Sequence, residues 1–223
     1  QLLRLAFNDA IRYYPDMKKG GANASIRFDY ALERPENAGL KFAMAQVLFT
    51  KTDGNHITDL LSLSDLIQLG AYAAIEYCEG PIMNFRMGRK DTNEQEQDSA
   101  EEHNLLDTQN PVRGQFGHTG LSDEEIVALM GRRTLGFLPP EDHYTGKWVQ
   151  NPYVFDNTYF QELLSEKSRH IKLDDDRSLL QDESYRKHVE RFAEDNDEFF
   201  EVFSRAYLKV SEFGQEEHLL SEV

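Results

Sequence analysis

The sequence opens with Leu2-Leu3-Arg4-Leu5-Ala6-Phe7-Asn8-Asp9-Ala10, and a glycine-rich segment, Gly20-Gly21-Ala22-Asn23-Ala24-Ser25-Ile26-Arg27-Phe28, follows Pro15. Apolar residues of the first stretch recur at helical spacing, which predicts a helix that ends before the proline. Arg4 and Asn8 are four residues apart and therefore lie on one face of that helix. The two glycines leave little room for side chains, so we expect a loop in the second segment.

Most of the remaining periodicity is also helical. We expect helices at about 37–50, from Ser62 to a stop at Gly80-Pro81, from a capping box at Ser122 to about Gly131, from a cap at Asn157 to Leu164, and over 183–193 and 197–212. No alternation of apolar and polar residues lasts more than a few positions. The predicted class is therefore mainly α.

Composition excludes several kinds of protein. The chain has 223 residues, with 24 Lys and Arg against 40 Asp and Glu, and a formal charge of −16. This balance disfavours binding to nucleic acid or to anionic membranes, because both depend on dense positive charge. The sequence contains no stretch of 18 consecutive apolar residues, so no membrane span is predicted. The single Cys78 excludes an internal disulfide, and the histidines show no metal-binding spacing, so no metal site is predicted.

Several collinear segments resemble those of class I haem peroxidases, the family of ascorbate and cytochrome c peroxidases. The opening helix and the glycine-rich loop come first, and the others follow in family order, at 36–40, 61–69, 88–91, 121–129, 148–157 and 211–214. The resemblance implies one peroxidase-like domain over 1–223 with the two-lobed, mainly helical fold. We expect a distal lobe over about 1–110, a proximal lobe over about 111–223 and a haem slot between them. The first helix of the family would precede Gln1.

The resemblance gives roles to residues of the opening helix. In the family an Arg and a His one helical turn later act on peroxide, and Arg4 and Asn8 stand at these two positions. A carboxamide does not titrate between pH 5 and 8 as an imidazole does, so Asn8 is no proton carrier. Phe7 replaces the distal Trp. Asn37 matches the residue that bonds the distal His, and we expect it to lack that partner.

The proximal side also departs from the family. The family helix ends in Gly-Gly-His-Thr, whose His binds iron, whereas this chain has Arg133 at the ligand position. A guanidinium stays protonated and has no lone pair for a metal. Phe137 and Leu138 stand where the family has small residues, and we expect them to fill the porphyrin slot. His143 is an alternative haem ligand.

Two remnants of the proximal site remain. Trp148 and Asp176 match the proximal Trp and the Asp that orients the iron ligand. We therefore expect a buried ion pair between Arg133 and Asp176 with Trp148 nearby; in the alternative, Arg133 points into solvent. Val149 stands where the family's proximal cation site needs a hydroxyl, so no bound K⁺ is expected.

These observations favour a catalytically inactive pseudoenzyme without haem. By resemblance to the ascorbate-peroxidase-like proteins of the plant thylakoid lumen, we expect an accessory or structural subunit of a photosynthetic membrane complex, docked on other protein subunits. The expected location is the lumen side of the chloroplast thylakoid, with the mitochondrion as alternative. Two other functions stay open: a haem protein with altered ligation that responds to peroxide, and an accessory subunit of a mitochondrial respiratory complex.

Overall fold

A computed structural model describes residues 1–54, 56–93, 110–138 and 146–220, with the backbone alone at 56 and 57. The helices are α1 Leu2–Ala10, α2 Asp29–Leu32, α3 Lys41–Thr52, α4 His56–Asp59, α5 Leu63–Tyr77, α6 Pro111–Phe116, α7 Asp123–Met130, α8 Thr158–Leu164, α9 Asp174–Gln181, α10 Glu183–Glu194 and α11 Asn196–Ser211. Short 3-10 helices lie at Ser25–Arg27, Pro35–Asn37 and Gly131–Thr134. These ranges contain no β-strand, which confirms the mainly α class. None of their helices has the length and apolar character needed to cross a bilayer.

Local signals placed some helix starts correctly and others not. The capping box at Ser122 is present, with its side chain accepting from the backbone N–H of Glu125. Asn157 occupies the N-cap position of α8 as predicted, but its side chain makes no capping bond, because its nitrogen donates to the carbonyl of Phe192 at 2.9 Å. The N–H of Thr158 is bonded instead by Asp156, also at 2.9 Å. Helices α2, α4, α6 and α9 were not predicted.

The chain divides into two compact units. The first contains residues 1–74, 83–104 and 208–223, and the second contains 75–82 and 105–207. The division into a distal lobe over about 1–110 and a proximal lobe over about 111–223 stays a prediction.

A buried ion pair organises the first unit. Arg89 Nη1 lies 2.9 Å from Asp65 Oδ1, and both side chains are almost fully buried. Arg89 Nε also donates to the carbonyl of Ser211 at 2.8 Å. Asp91 accepts hydrogen bonds at 2.8 and 3.0 Å from the first backbone N–H groups of α5. The segment 88–91 therefore holds α5 and the end of α11 through polar contacts inside the unit.

The glycine-rich loop packs closely against the C-terminal segment of the same unit. Gly21 has a φ of +88°, and a Cβ there would lie 2.1 Å from the carbonyl oxygen of Phe213. The next residue, Ala22, donates its N–H to that carbonyl at 3.0 Å. Only glycine fits this close approach, which explains the residue type at position 21.

Asp9 fixes helix α1 to the same loop. Its carboxylate accepts from the N–H groups of Ala24 at 2.9 Å and Ile26 at 3.0 Å, and from the hydroxyl of Ser25 at 3.4 Å. Burial raises the pKa of Asp9 to about 6, and this effect outweighs the hydrogen bonds, which lower it. The loop therefore folds around a carboxylate that titrates close to neutrality.

The second unit has an aromatic core. Five phenylalanine rings pack against one another, with the centroids of neighbouring rings 4.7 to 6.0 Å apart. They belong to Phe155, Phe160, Phe192, Phe199 and Phe203. A Cβ at Gly131 would lie 2.6 Å from the ring of Phe199, so the end of α7 rests directly on this core. The core thereby fixes the backbone from which residue 133 projects.

Replacement of Asp9 by Asn tests the role of its raised pKa. Protonated Asp9 contributes stability that is fully present below its ordinary pKa of 3.8 and is lost as the pH rises through about 6. We expect the wild type to lose roughly 3 kcal/mol relative to D9N between about pH 4 and pH 7. Urea unfolding at a series of pH values measures the difference.

The exposed carboxylate of Asp174 provides the control, since D174N changes the same chemical group outside the core. A D9N chain whose unfolding free energy keeps the wild-type pH profile would contradict the assignment to Asp9.

Candidate functional site

Arg4 and Asn8 lie on one face of α1, as the spacing predicts. Arg4 Nη2 donates to the carbonyl of Ala38, and Asn8 Nδ2 donates to the carbonyl of Glu36 at 3.0 Å. Phe7, between them, is fully buried. Helix α1 therefore presents both polar side chains to the segment 36–38 while the ring of Phe7 packs in the interior.

The hydrogen bond to Asn37 is retained. Asn8 Nδ2 donates to Asn37 Oδ1 at 2.8 Å, and Asn37 Nδ2 donates to the carbonyl of Ala31 at 2.7 Å. The prediction that Asn37 lacks its partner is wrong. The carboxamide of Asn8 supplies the N–H that an imidazole would supply, so the buried Asn37 stays satisfied.

Arg133 forms the predicted ion pair. Its guanidinium donates to Asp176 and also to Asp175, at 2.9 Å for one of the contacts, and its side chain is only 14% exposed. The alternative, in which Arg133 points into solvent, is excluded. A guanidinium bound by two carboxylates is held in position as well as neutralised.

Asp176 is the most highly bonded group of the site. Besides Arg133, it accepts from Trp148 Nε1 at 2.9 Å, from the Tyr159 hydroxyl at 2.6 Å and from the N–H of Leu173 at 2.8 Å. Its side chain has no exposed surface. Four donors on two oxygens compensate the cost of burying this charge.

Electrostatics favour the charged forms of Arg133 and Asp175. Burial lowers the pKa of Arg133, but the raising effect of Asp176 and Asp175 is larger than this lowering. The net pKa of Arg133 is therefore well above its ordinary value. Burial raises the pKa of Asp175, and the hydrogen bond from Arg133 more than reverses this, so the net shift is downward. Arg133 is therefore a permanent cation in the folded chain.

Phe137 does not fill a pocket in the second unit. Its side chain is 52% exposed and packs edge-on against Tyr153, with ring centroids 5.8 Å apart. Leu138 is half-buried, and its N–H bonds the carbonyl of Gly146. The filling of the porphyrin slot by both side chains stays a prediction. A left-handed turn at Gly136, with a φ of +87°, precedes Phe137 and sets the path of the chain there.

Sequence reasoning missed two residues of the cluster. Asp175 lies in a run of three Asp residues that reads as a solvated turn, although a cation at position 133 calls for a counter-charge nearby. Tyr159 gave no polar signal, because a tyrosine on an apolar helix face normally belongs to the core. Burial raises the pKa of Tyr159 well above its ordinary value, so its hydroxyl stays a hydrogen-bond donor.

Replacement of Arg133 by Ala tests the energetic weight of the pair. The change strands two carboxylates, one of them fully buried, and we expect the free energy of unfolding to fall by about 3–5 kcal/mol. Chemical denaturation measures the loss.

Arg177→Ala is the matched control, because Arg177 is 61% exposed and pairs with Asp174, which is 91% exposed. We expect this change to cost less than about 1 kcal/mol. Equal losses in the two variants would mean that the buried pair contributes no more than a surface pair.

Comparison with known proteins identifies related chains. A family model described as Peroxidase matches residues 1–195. The probable peroxisomal L-ascorbate peroxidase 3 of Oryza sativa subsp. japonica is 39% identical over 218 residues, which cover 96% of this chain and 72% of the relative. The cytosolic L-ascorbate peroxidase 2 of Arabidopsis thaliana is 36% identical over 215 residues, covering 96% of this chain and 84% of the relative.

Membership of such a family implies haem, and the described residues fit it unequally. On the distal side, Arg4 and the bonded pair Asn8–Asn37 keep the arrangement that the resemblance implies. On the proximal side, Arg133 does not fit the role of iron ligand, because a protonated guanidinium offers no lone pair and both carboxylates already hold it. His143, the alternative ligand, lies outside the described residues.

The prediction of a haem-free pseudoenzyme is wrong. It inferred loss of activity and of cofactor from single positions, Asn8 and Arg133 above all, whereas the family match and relatives named as L-ascorbate peroxidases point to a peroxidase enzyme with haem. The retained bond at Asn37 agrees with the family rather than with a degraded site. This chain belongs to the peroxidase family and is a class I, ascorbate-peroxidase-like member of it.

Proposed function

We propose that this chain is a haem-binding peroxidase-type enzyme that acts on hydroperoxides, with its iron held by a ligand other than residue 133. Of the functions that the sequence left open, altered ligation is the one compatible with both the family and Arg133. Ascorbate is the first reductant to test, because the relatives are named for it.

One observation supports the proposal above the others: the hydrogen bond from Asn8 to Asn37, with Arg4 one turn earlier on the same helix. The bond orients the carboxamide, and Arg4 stays anchored on Ala38 beside it.

The two distal side chains do different work. Arg4 carries a permanent positive charge, which stabilises negative charge that develops on a peroxide oxygen. Asn8 orients a peroxide through hydrogen bonding but takes no proton from it. Haem supplies the redox chemistry of the family when bound. Without a general base at residue 8, turnover is expected to be slow.

Haem titration tests the proposal. We expect a Soret band to grow to saturation as haem is added to the purified wild-type chain, and ascorbate-dependent consumption of hydrogen peroxide by the loaded protein. The same titration on H143A asks whether His143 is the ligand, through loss of the nitrogen-ligated spectrum. A wild-type chain that gives no saturable Soret band would overturn the proposal.

In the same assay, Asn8→His should raise the rate of the peroxide reaction by about 10²–10⁴, because an imidazole restores the base and keeps an N–H for Asn37. Asn8→Leu is the control, since it removes the polar group without adding a base and should give no gain. The loaded chains are compared at equal haem content, so that a difference in cofactor binding does not enter the rates.

We propose further that the chain associates with protein subunits of a larger membrane-associated complex. The support is its charge of −16, which favours basic protein surfaces over anionic lipid. A chain in such a complex would lie in the thylakoid lumen, with the mitochondrion as the alternative location. The names of the relatives, in contrast, say peroxisomal and cytosolic.

Native electrophoresis of fractionated membranes tests the association. We expect the chain to migrate with a large complex at low salt and to be released as the ionic strength rises, because screening weakens contacts between charged surfaces. Migration as a free chain at every salt concentration would contradict the association and leave the haem proposal untouched.

A further inference from the structure

Helix α3 is apolar on two opposite faces. Its inner face carries Ala43, Met44 and Val47, which are buried in the first unit. Its outer face carries Phe42 and Phe49, whose side chains are 67% and 68% exposed. A helix that is apolar all round normally lies inside a protein, whereas the outer face of α3 meets solvent. This face therefore has the composition of a surface that is buried in a contact.

The apolar surface continues beyond α3. Lys51 Nζ donates to the carbonyls of Thr58 at 2.8 Å and Leu61 at 2.6 Å, which fixes the segment after α4 beside the end of α3. Leu60 in that segment is 83% exposed, and Leu48 on α3 is 41% exposed. The four exposed side chains of this region are named the outer patch, and they are Phe42, Leu48, Phe49 and Leu60.

The outer patch lies in a part of the chain where charge is balanced. Over residues 41–61 two Lys and two Asp cancel, although the whole chain carries a charge of −16. Two copies of so acidic a chain repel each other wherever their acidic surfaces meet. A neutral apolar surface is where they approach each other with the least repulsion. Charge therefore favours a contact between copies at the outer patch.

The outer face of α3 is complementary to itself. Phe42, Ala45, Gln46 and Phe49 share this face, so the order of ring, two smaller side chains and ring is the same from either end. When two helices pair antiparallel about a two-fold axis between residues 45 and 46, Phe42 of each copy meets Phe49 of the other. The small Ala45 lies near the axis, where the helices are closest.

Antiparallel pairing also matches the charges at the two ends of α3. Lys41 begins the helix, and its Nζ lies 3.7 Å from Glu33 Oε1 in a pair whose side chains are 64% and 66% exposed, so this pair is weak. Asp53 follows the helix and is exposed. In the antiparallel arrangement Lys41 of one copy lies near Asp53 of the second copy and near the negative end of its helix dipole.

We propose that the outer patch is a self-association surface, through which two copies of this chain pair by antiparallel contact of their α3 helices. The proposal goes beyond the proposed function, because it needs neither haem nor another subunit. The outer patch offers roughly 400 Å² of apolar area per copy. A pair then buries about 800 Å², less than the roughly 1,200–2,000 Å² of a stable interface. The dimer is therefore weak, with a dissociation constant of the order of 100 µM.

Sedimentation velocity of the full chain over about 10 to 500 µM tests the proposal. We expect the wild type to shift from monomer to dimer over this range and Phe49→Glu to stay monomeric. Tyr77→Glu is the matched control, because it adds the same charge at an aromatic residue that is 91% exposed and belongs to the second unit. Urea unfolding checks that both variants are folded. A monomeric wild type, or equal association of wild type and F49E, would overturn the proposal.

A charge exchange tests the antiparallel arrangement. We expect Lys41→Glu and Asp53→Lys each to weaken the dimer by about fivefold, and the double variant to restore it, because both opposite-charge contacts return with their signs exchanged. D53K is the sharper variant, since it lowers the overall repulsion between copies and yet should weaken the dimer. A double variant as weak as the single ones would contradict the arrangement.

Salt and lipid separate this pairing from other associations. Screening reduces the repulsion between acidic copies, so the dimer should tighten as NaCl rises from about 50 to about 500 mM, whereas docking on basic subunits is released. Flotation with phosphatidylcholine vesicles tests lipid as the occupant of the outer patch. A wild type that binds the vesicles through Phe49 and stays monomeric in their absence would overturn the proposal.

Discussion

The carboxylate of Asp176 is the group on which the site in the second unit depends. It lies fully buried at the first turn of α9 and accepts from an arginine, an indole, a phenol and a backbone N–H that come from separate parts of the chain. A buried anion is tolerated only where such donors surround it. The positions of Arg133, Trp148 and Tyr159 are therefore linked, because each of them donates to one of the two oxygens of the same carboxylate.

Local sequence signals were enough to predict the positions of many helices. Apolar periodicity located α1 and the C-terminal helices, and the serine at 122 marked the start of α7. They failed where a side chain serves a distant segment. Asn157 has the residue type of a helix cap but bonds carbonyls at the end of α10, and Phe137 turns to Tyr153 rather than to the interior. Neither partner is visible in the nearby sequence.

The candidate site was predictable by position more than by chemistry. The resemblance brought Asn8 together with Asn37 and Arg133 together with Asp176, and the expected ion pair rested on these family positions and on opposite charge. The change from an expected His to Asn8 was overinterpreted, because two properties of a histidine were treated as one. The amide keeps the donor function toward Asn37 and loses only the titrating function. Relatives named as enzymes corrected the inference that a single residue type had suggested.

The bond between Arg89 and the carbonyl of Ser211 has a consequence for biosynthesis. The guanidinium of Arg89 lies in the first unit, and the end of α11 supplies one of its acceptors. During synthesis by the ribosome, Arg89 therefore lacks this acceptor until residue 211 has emerged. Residues 105–207 of the second unit are all available earlier. The first unit therefore cannot form this contact until every residue of the second unit has been synthesised.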